Sequence, residues 1–135
     1  MNKHLLFLVL FCFSSSLLAN QTNTIEIKKV SQRTIYNSKL ECGKVLSAGS
    51  FQSCWLTLFH EDKPVRNTEV FINGGMPAHQ HGLPTSPRID WSEVKNVYVI
   101  KGLKFSMPGE WSLNFKVNAE DDALKDQITI LVNVN

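Results

Sequence analysis

The sequence lacks a marked excess of charge of either sign. Its 14 basic and 12 acidic side chains leave a formal net charge of +2. Removal of an N-terminal segment containing Lys3 would lower this to about +1. Because nucleic-acid binding requires a basic patch, the near balance argues against a nucleic-acid partner. It argues equally against binding to an anionic membrane surface.

Long apolar runs are also missing. The unbroken apolar stretch at residues 5–13 is shorter than the roughly 20 residues that a membrane-spanning helix needs. Lys3 precedes it and small residues follow it up to Ala19, which is typical of an export signal. We therefore expect residues 1–19 to be a signal peptide and residues 20–135 to form one exported domain without a membrane span, in a periplasm. An uncleaved N-terminal anchor is the alternative.

Cysteine is scarce, with three in the chain. Cys12 lies inside the apolar run, so Cys42 and Cys54 are the two that remain after cleavage. An even number of cysteines in an oxidising compartment favours a disulfide between them. A thiolate metal pair or a redox pair is the alternative, although redox pairs usually sit closer together, as in Cys-x-x-Cys.

No window has a sustained helical period, and period-two alternation dominates instead. Trp111, Leu113, Phe115 and Val117 fall on one face of a strand, with polar residues between them. Similar patterns predict further strands at 24–30, near Leu40, and at 54–60, 69–73, 96–105 and 128–134. Short strands at this spacing predict an all-β domain, an antiparallel immunoglobulin-like sandwich of about seven strands.

The one long stretch without a strand pattern is 74–94, which three prolines and three glycines shape. A loop of this length in a compact domain is usually functional or mobile. No Asp or Glu occurs between Gly74 and Arg88. Calcium and magnesium prefer oxygen ligands, so this loop is a poor site for them. It also lacks an obvious general base for a hydrolytic zinc site.

Soft ligands are concentrated in this loop. Met76, His79 and His81 lie within six residues. In an extended backbone residues i and i+2 share a face, so both imidazoles can meet one ion while Gln80 points away. A thioether selects Cu(I), and imidazole accepts copper or zinc. The pattern therefore predicts a copper site.

Met107 is the favoured further ligand, because it follows the strand after the loop and can return to the same end of the sandwich. His60, in the turn after another strand, is less favoured. Both residues have ordinary alternatives: methionine fills irregular gaps in cores, and a histidine at a turn is often a surface residue. A His-x-His pair in a polar loop is likewise often only solvated.

Two blocks carry a family resemblance: Gly-Met-Pro-Ala-His-Gln-His-Gly-Leu-Pro-Thr at 75–85, and Gly-Leu-Lys-Phe-Ser-Met-Pro-Gly-Glu-Trp at 102–111. Together they resemble the YtkA-like group of small exported proteins, over roughly residues 50–135. The resemblance implies an immunoglobulin-like sandwich in the cell envelope, with an association with copper handling and respiratory-oxidase assembly. It transfers Met76, His79, His81 and Met107 as candidate ligands.

The sequence therefore predicts an exported copper-binding module for metal delivery, buffering or assembly, with a metalloprotein or oxidase-assembly protein as partner. The alternative is an interaction or structural module without metal, in which the 74–94 loop binds a partner through Phe71, Leu83 and Trp91. Catalysis is not expected. The sequence has no suggestive Ser/His/Asp arrangement and no carboxylate pair beside the histidines.

Overall fold

The computed structural model describes residues 23–135, so the predicted signal peptide at 1–19 lies outside the described residues. Almost all of the regular structure in this part is β-strand. The strands are β1 (Ile25–Val30), β2 (Asn37–Cys42), β3 (Cys54–His60), β4 (Lys63–Pro64), β5 (Glu69–Met76), β6 (His81–Gly82), β7 (Arg88–Ser92), β8 (Val97–Lys101), β9 (Gly109–Asn118) and β10 (Asp126–Val134). Two single turns of 3-10 helix, Pro77–His79 and Asp122–Leu124, interrupt them.

The strands form two antiparallel sheets. One has the order β1-β2-β3-β8-β7, with β4 paired to β3, and the other has the order β10-β9-β5-β6. The predicted all-β antiparallel sandwich is confirmed. The strand number exceeds the predicted seven, because β7 and the two-residue strands β4 and β6 were not predicted.

The core lies between the sheets and follows the alternation in the sequence. In β9 every second residue from Trp111 to Val117 is at most 1% exposed. Burying one large apolar side chain stabilises the fold by about 1.5–3 kcal/mol relative to leaving it exposed. This inward face holds β9 at the centre of its sheet, between β10 and β5. The end of β9 that begins with Gly109 positions the candidate site described below.

The predicted disulfide is confirmed. Cys42 and Cys54 lie directly opposite each other on β2 and β3, and their Cα atoms are 4.1 Å apart. The bonded sulfurs leave no thiolate pair for a metal. A buried disulfide forms in an oxidising compartment, which fits an exported protein. In residues 23–135 no helix has the length and apolar character needed to cross a membrane.

The prediction of one irregular loop at 74–94 is wrong. β5 continues to Met76, β6 returns alongside it, and β7 pairs along its whole length with β8. In β7 Ile89 and Trp91 are partly buried, whereas Arg88 and Asp90 are exposed. The neighbouring prolines obscured this short alternation, and pairing with β8 supplies the hydrogen bonds that stabilise it.

The loops cluster at the two ends of the sandwich. One end, here called the methionine pole, consists of residues 43–53, 77–87 and 102–108. Its segments are joined by hydrogen bonds: Gln52 N–H donates to Leu103 O at 2.8 Å, and the Thr85 hydroxyl donates to Gly102 O at 2.7 Å. The opposite pole consists of residues 31–36, 61–68, 93–96 and 119–125.

A buried carboxylate anchors the opposite pole, and its loss should weaken the fold in a pH-dependent way. Asp126 is 5% exposed and accepts hydrogen bonds from the backbone N–H groups of Arg33 and Gln127. Burial raises its pKa, but these hydrogen bonds and one from Ser31 outweigh burial and hold the pKa below its ordinary value of 3.8. We expect Asp126→Asn to lower the free energy of unfolding by about 1.5–3 kcal/mol at neutral pH.

The direction of this pH dependence follows from the depressed pKa of Asp126. The stabilisation is complete above the unfolded-state pKa and is lost as the pH falls through the native pKa, below about pH 4. Urea unfolding of both proteins from pH 7 to pH 2 measures this difference. A difference in unfolding free energy that persists undiminished at pH 2 would contradict the assignment.

Candidate metal site

The structure brings His81 and Met107 into contact although they are 26 residues apart in the chain. His81 Nε2 lies 3.4 Å from Met107 Sδ. β6 places His81 beside the end of β5, and the turn after β8 returns Met107 to the same pole. The sequence prediction that Met107 returns to the pole of the Met/His loop therefore agrees with the geometry.

The other nitrogen of the His81 ring determines what Nε2 can do. Nδ1 lies 3.1 Å from the carbonyl oxygen of Gly82. A carbonyl only accepts, so this hydrogen bond requires the proton on Nδ1. In the neutral imidazole the lone pair of Nε2 then faces the thioether sulfur of Met107, which has no proton to offer. A metal cation at Nε2 satisfies this pair, and so does the other tautomer, in which Nε2–H donates to Met107 Sδ.

His79 lies close to His81 by a different route from the one predicted. The backbone between them is not extended, because His79 ends the Pro77–His79 turn and Gln80 adopts a left-handed conformation with φ of 54°. The expectation of a shared strand face is therefore wrong. The two imidazole ring centres are nevertheless 6.0 Å apart. His79 is exposed, so its ring has room to turn toward His81.

Met76 lies on the protein side of the cluster, meaning the side that faces the core rather than the solvent. It is directly opposite His81 in the β5–β6 ladder, and residues opposite each other in an antiparallel pair project from the same face of the sheet. Met76 is only 5% exposed and packs in the core. Its methyl group lies against Gly109, and a shallow groove of about 380 Å³ borders Met76 and His81.

Trp111 holds the cluster together, a role that the sequence analysis missed. Its indole N–H donates to the carbonyl oxygen of Met107 at 3.0 Å. Its ring meets the His81 ring edge-on, with centroids 5.2 Å apart. Trp111 lies on the strand face that the alternation predicts, and it is fully buried. The one available signal was its position four residues after Met107 in the second motif block.

The donor set fits a soft metal ion. With metal–nitrogen and metal–sulfur bonds of about 2.0 and 2.3 Å, a tetrahedral ion separates the two ligand atoms by about 3.5 Å. His81 Nε2 and Met107 Sδ are already 3.4 Å apart. Among residues 23–135 no cluster of three or more His, Cys, Asp and Glu side chains could hold a metal. The present group is of another kind: His81 contacts Met107, the His79 ring lies beside the His81 ring, and Met76 lies opposite His81 in the β5–β6 ladder.

His60 takes no part in this cluster. It lies at the end of β3 remote from Cys54, where its Nδ1 is 3.0 Å from the carbonyl oxygen of Ile35 and its ring packs against Tyr36. These contacts at the opposite pole explain the position of His60. His60 therefore serves as a histidine control for metal-binding experiments.

Gly109 shapes the turn that carries Met107, and replacing it should disturb the site. Its φ of +129° is unfavourable for other residues, and an added Cβ would overlap the methyl group of Met76. We expect Gly109→Ala to lower the free energy of unfolding by about 1–3 kcal/mol. Thermal unfolding measures the change.

Gly49→Ala is the matched control. Gly49 also has a positive φ, of +80°, but nothing lies within 4 Å of a Cβ at that position. Its replacement therefore carries the cost of a positive φ without a clash. A loss in Gly109→Ala no larger than that in Gly49→Ala would contradict the expected effect of the Gly109 conformation and of the Met76 contact together.

The fold and this donor set define an all-β sandwich with a methionine–histidine cluster at one pole. A family model described as YtkA-like matches residues 31–116. The chain therefore belongs to the YtkA-like family. The match begins earlier than the resemblance noted from residue 50 onward, so it includes both Cys42 and Cys54. Comparisons with curated proteins and with solved structures give no match.

Proposed function

We propose that this protein is an exported copper-binding module of the cell envelope, in a periplasm, that binds Cu(I) for delivery, buffering or metalloprotein assembly. His81 and Met107 form the centre of the site, and His79 completes it from the solvent side. Met76 supplies a second thioether from the protein side. A metalloprotein or an oxidase-assembly protein is the expected partner.

One observation carries the proposal: the 3.4 Å separation of His81 Nε2 and Met107 Sδ, with Nδ1 engaged by a backbone carbonyl. Ligating histidines commonly donate their other ring N–H to a carbonyl, which fixes the tautomer and directs the free nitrogen at the metal. Gly82 O occupies that position here. Trp111 adds a second restraint by fixing the carbonyl of Met107.

The composition of the site favours Cu(I). Thioethers are soft ligands that select Cu(I), whereas carboxylates favour harder ions, and residues 77–87 contain no carboxylate side chain. Bound copper supplies a soft cation that a partner's ligands can take by exchange. The exposed His79 is the ligand that an incoming partner would reach first.

A Cu(I) titration of the mature domain against a competing chelator tests the proposal. We expect the wild type to bind one Cu(I), and His79→Ala/His81→Ala to bind much more weakly. His60→Ala serves as the control and should keep wild-type affinity, because His60 lies at the opposite pole. A wild-type affinity no tighter than that of the double variant would refute the proposal.

A metal-free interaction module is the second candidate, and one feature favours it. Phe71 and Trp91 line a single cleft of about 520 Å³ between β5 and β7. Within residues 23–135 the Trp91 indole N–H is buried without a hydrogen-bond partner. Leu83, the third residue of the predicted binding surface, instead packs against the core near Gly74. This candidate takes precedence if the copper titration fails.

A further inference from the structure

Charge is distributed unevenly between the two poles. The methionine pole, residues 43–53, 77–87 and 102–108, has no Asp or Glu side chain. Its formally charged side chains are Lys44 and Lys104. The opposite pole has six carboxylates and five basic side chains: Glu61, Asp62, Glu93, Glu120, Asp121, Asp122, Arg33, Lys63, Arg66, Lys95 and Lys125. The side-chain charge of the methionine pole is therefore positive, although the terminal residue Asn135 is hydrogen-bonded to Leu46 and Ala48 within it.

The same pole exposes apolar surface. Phe51 is 69% exposed and Val45 is 49% exposed. Lys104 Nζ lies over the Phe51 ring, 5.6 Å from its centroid, and a β-bridge joins the backbones of these two residues. An aromatic ring and a lysine are therefore presented together, at a pole that also exposes Val45. Aromatic side chains are enriched at protein interfaces, so the exposed Phe51 ring is a candidate contact for a partner.

Neighbouring carboxylates do not neutralise these lysines. On the adjoining strands Asp90 pairs with Lys101, and Glu41 pairs with Lys39. Glu110 follows at the start of β9 and is exposed. Within residues 23–135 no ion pair joins Lys44 or Lys104 to a carboxylate. Lys44 is exposed and available to a partner, and Lys104 lies over the Phe51 ring, where a partner that covers the ring also meets its charge.

We propose that the methionine pole is a docking face for a partner protein that presents carboxylates around an apolar contact. Phe51 and Val45 enter the apolar contact, and Lys44 and Lys104 meet the carboxylates. Complementary charges steer encounter and fix orientation at protein interfaces. His81 and Met107 belong to the same pole. Its use in copper exchange rests on the proposed function, whereas the docking itself does not.

An anionic membrane fits the same surface less well. Each basic side chain near an anionic bilayer contributes about 1 kcal/mol, so two lysines and one aromatic ring hold a vesicle only weakly. A protein surface places its carboxylates at fixed positions and excludes water around the apolar contact. We therefore choose the protein partner, and the experiment includes vesicles as a separate arm.

Nuclear magnetic resonance of metal-free ¹⁵N-labelled protein provides the test. The probe is a short peptide in which glutamates flank a leucine–tryptophan pair, and its analogue has lysine at every glutamate. We expect the acidic peptide alone to shift resonances, confined to 43–53 and 102–108, with binding that weakens as salt is added. Lys44→Glu/Lys104→Glu should weaken binding on the order of tenfold. Phe51→Ser should weaken it as well.

Matched controls lie elsewhere on the surface. Lys63→Glu/Lys95→Glu reverses two exposed lysines of the opposite pole, and Val94→Ser removes an apolar side chain that is 97% exposed there. Both should leave peptide binding unchanged. Retained dispersion of the spectrum shows that each variant is folded.

Three results would overturn the proposal: equal binding of both peptides, no binding of the acidic peptide, or resonance shifts outside the methionine pole. Binding of the metal-free protein to phosphatidylglycerol vesicles through Phe51, without peptide binding, assigns the surface to membranes instead. Because the protein is metal-free, failure of copper binding leaves this test intact. Failure of docking equally leaves the copper titration intact.

Discussion

Met107→Leu is expected to lower Cu(I) affinity by at least about 100-fold, because removal of even an outer-shell partner costs 10- to 100-fold. Leucine conserves volume, and such a swap usually costs less than about 1.5 kcal/mol of stability. The substitution therefore removes the sulfur that lies 3.4 Å from His81 Nε2 and leaves the packing intact. We expect His81→Ala to lower the affinity at least as much.

The relative losses of Cu(I) affinity distinguish the ligands. Met76→Leu should have a smaller effect than Met107→Leu, since Met76 is buried on the protein side, with its methyl group against Gly109. Competition with a Cu(I) chelator at fixed pH measures all three variants, and thermal unfolding verifies that each is folded. Unchanged Cu(I) affinity of folded Met107→Leu would remove Met107 from the site.

Removing the disulfide should produce the largest loss of stability. Cys42→Ala/Cys54→Ala is expected to lower the free energy of unfolding by about 2–5 kcal/mol. The melting temperature should fall by on the order of 10 °C. The cross-link joins β2 to β3 at the methionine pole and closes the 43–53 segment, so the unfolded chain gains most of its freedom there.

Cys42→Ala and Cys54→Ala as single variants provide the control, because each also breaks the cross-link. Each single variant should lose nearly as much stability as the double variant, and thermal unfolding under non-reducing conditions compares them. A double variant within about 0.5 kcal/mol of the wild type, the usual range of inconsequential surface changes, would contradict a stabilising role. Cu(I) affinity should fall less than in Met107→Leu, since neither cysteine belongs to the cluster.

The strands were predictable where one face is buried and the other exposed. Trp111, Leu113, Phe115 and Val117 alternate with polar residues, and the structure buries all four. The same reasoning failed at β7, where only Ile89 and Trp91 carry the alternation and two prolines precede them closely. Its pairing with β8 is a long-range property, and no local pattern specifies it.

The candidate site was predictable as a set of residue types but not as a geometry. Spacing suggested that His79 and His81 share a strand face, whereas the left-handed Gln80 and a turn of 3-10 helix separate them. Folding determined that Met107 contacts His81. The hydrogen bond of Trp111 to Met107 O joins a buried residue to the cluster, and burial alone did not indicate that role.

By itself the sequence determined the all-β class, the cysteine pair and a carboxylate-free set of soft ligands. These follow from composition and from local alternation, since the side-chain period of a strand is a property of the backbone. Only the tertiary structure decided which ligands meet, that Met76 lies on the protein side, and that one pole of a nearly neutral chain is positive. These are properties of contacts between segments distant in the chain, because each strand returns its loops to one end of the sandwich or the other.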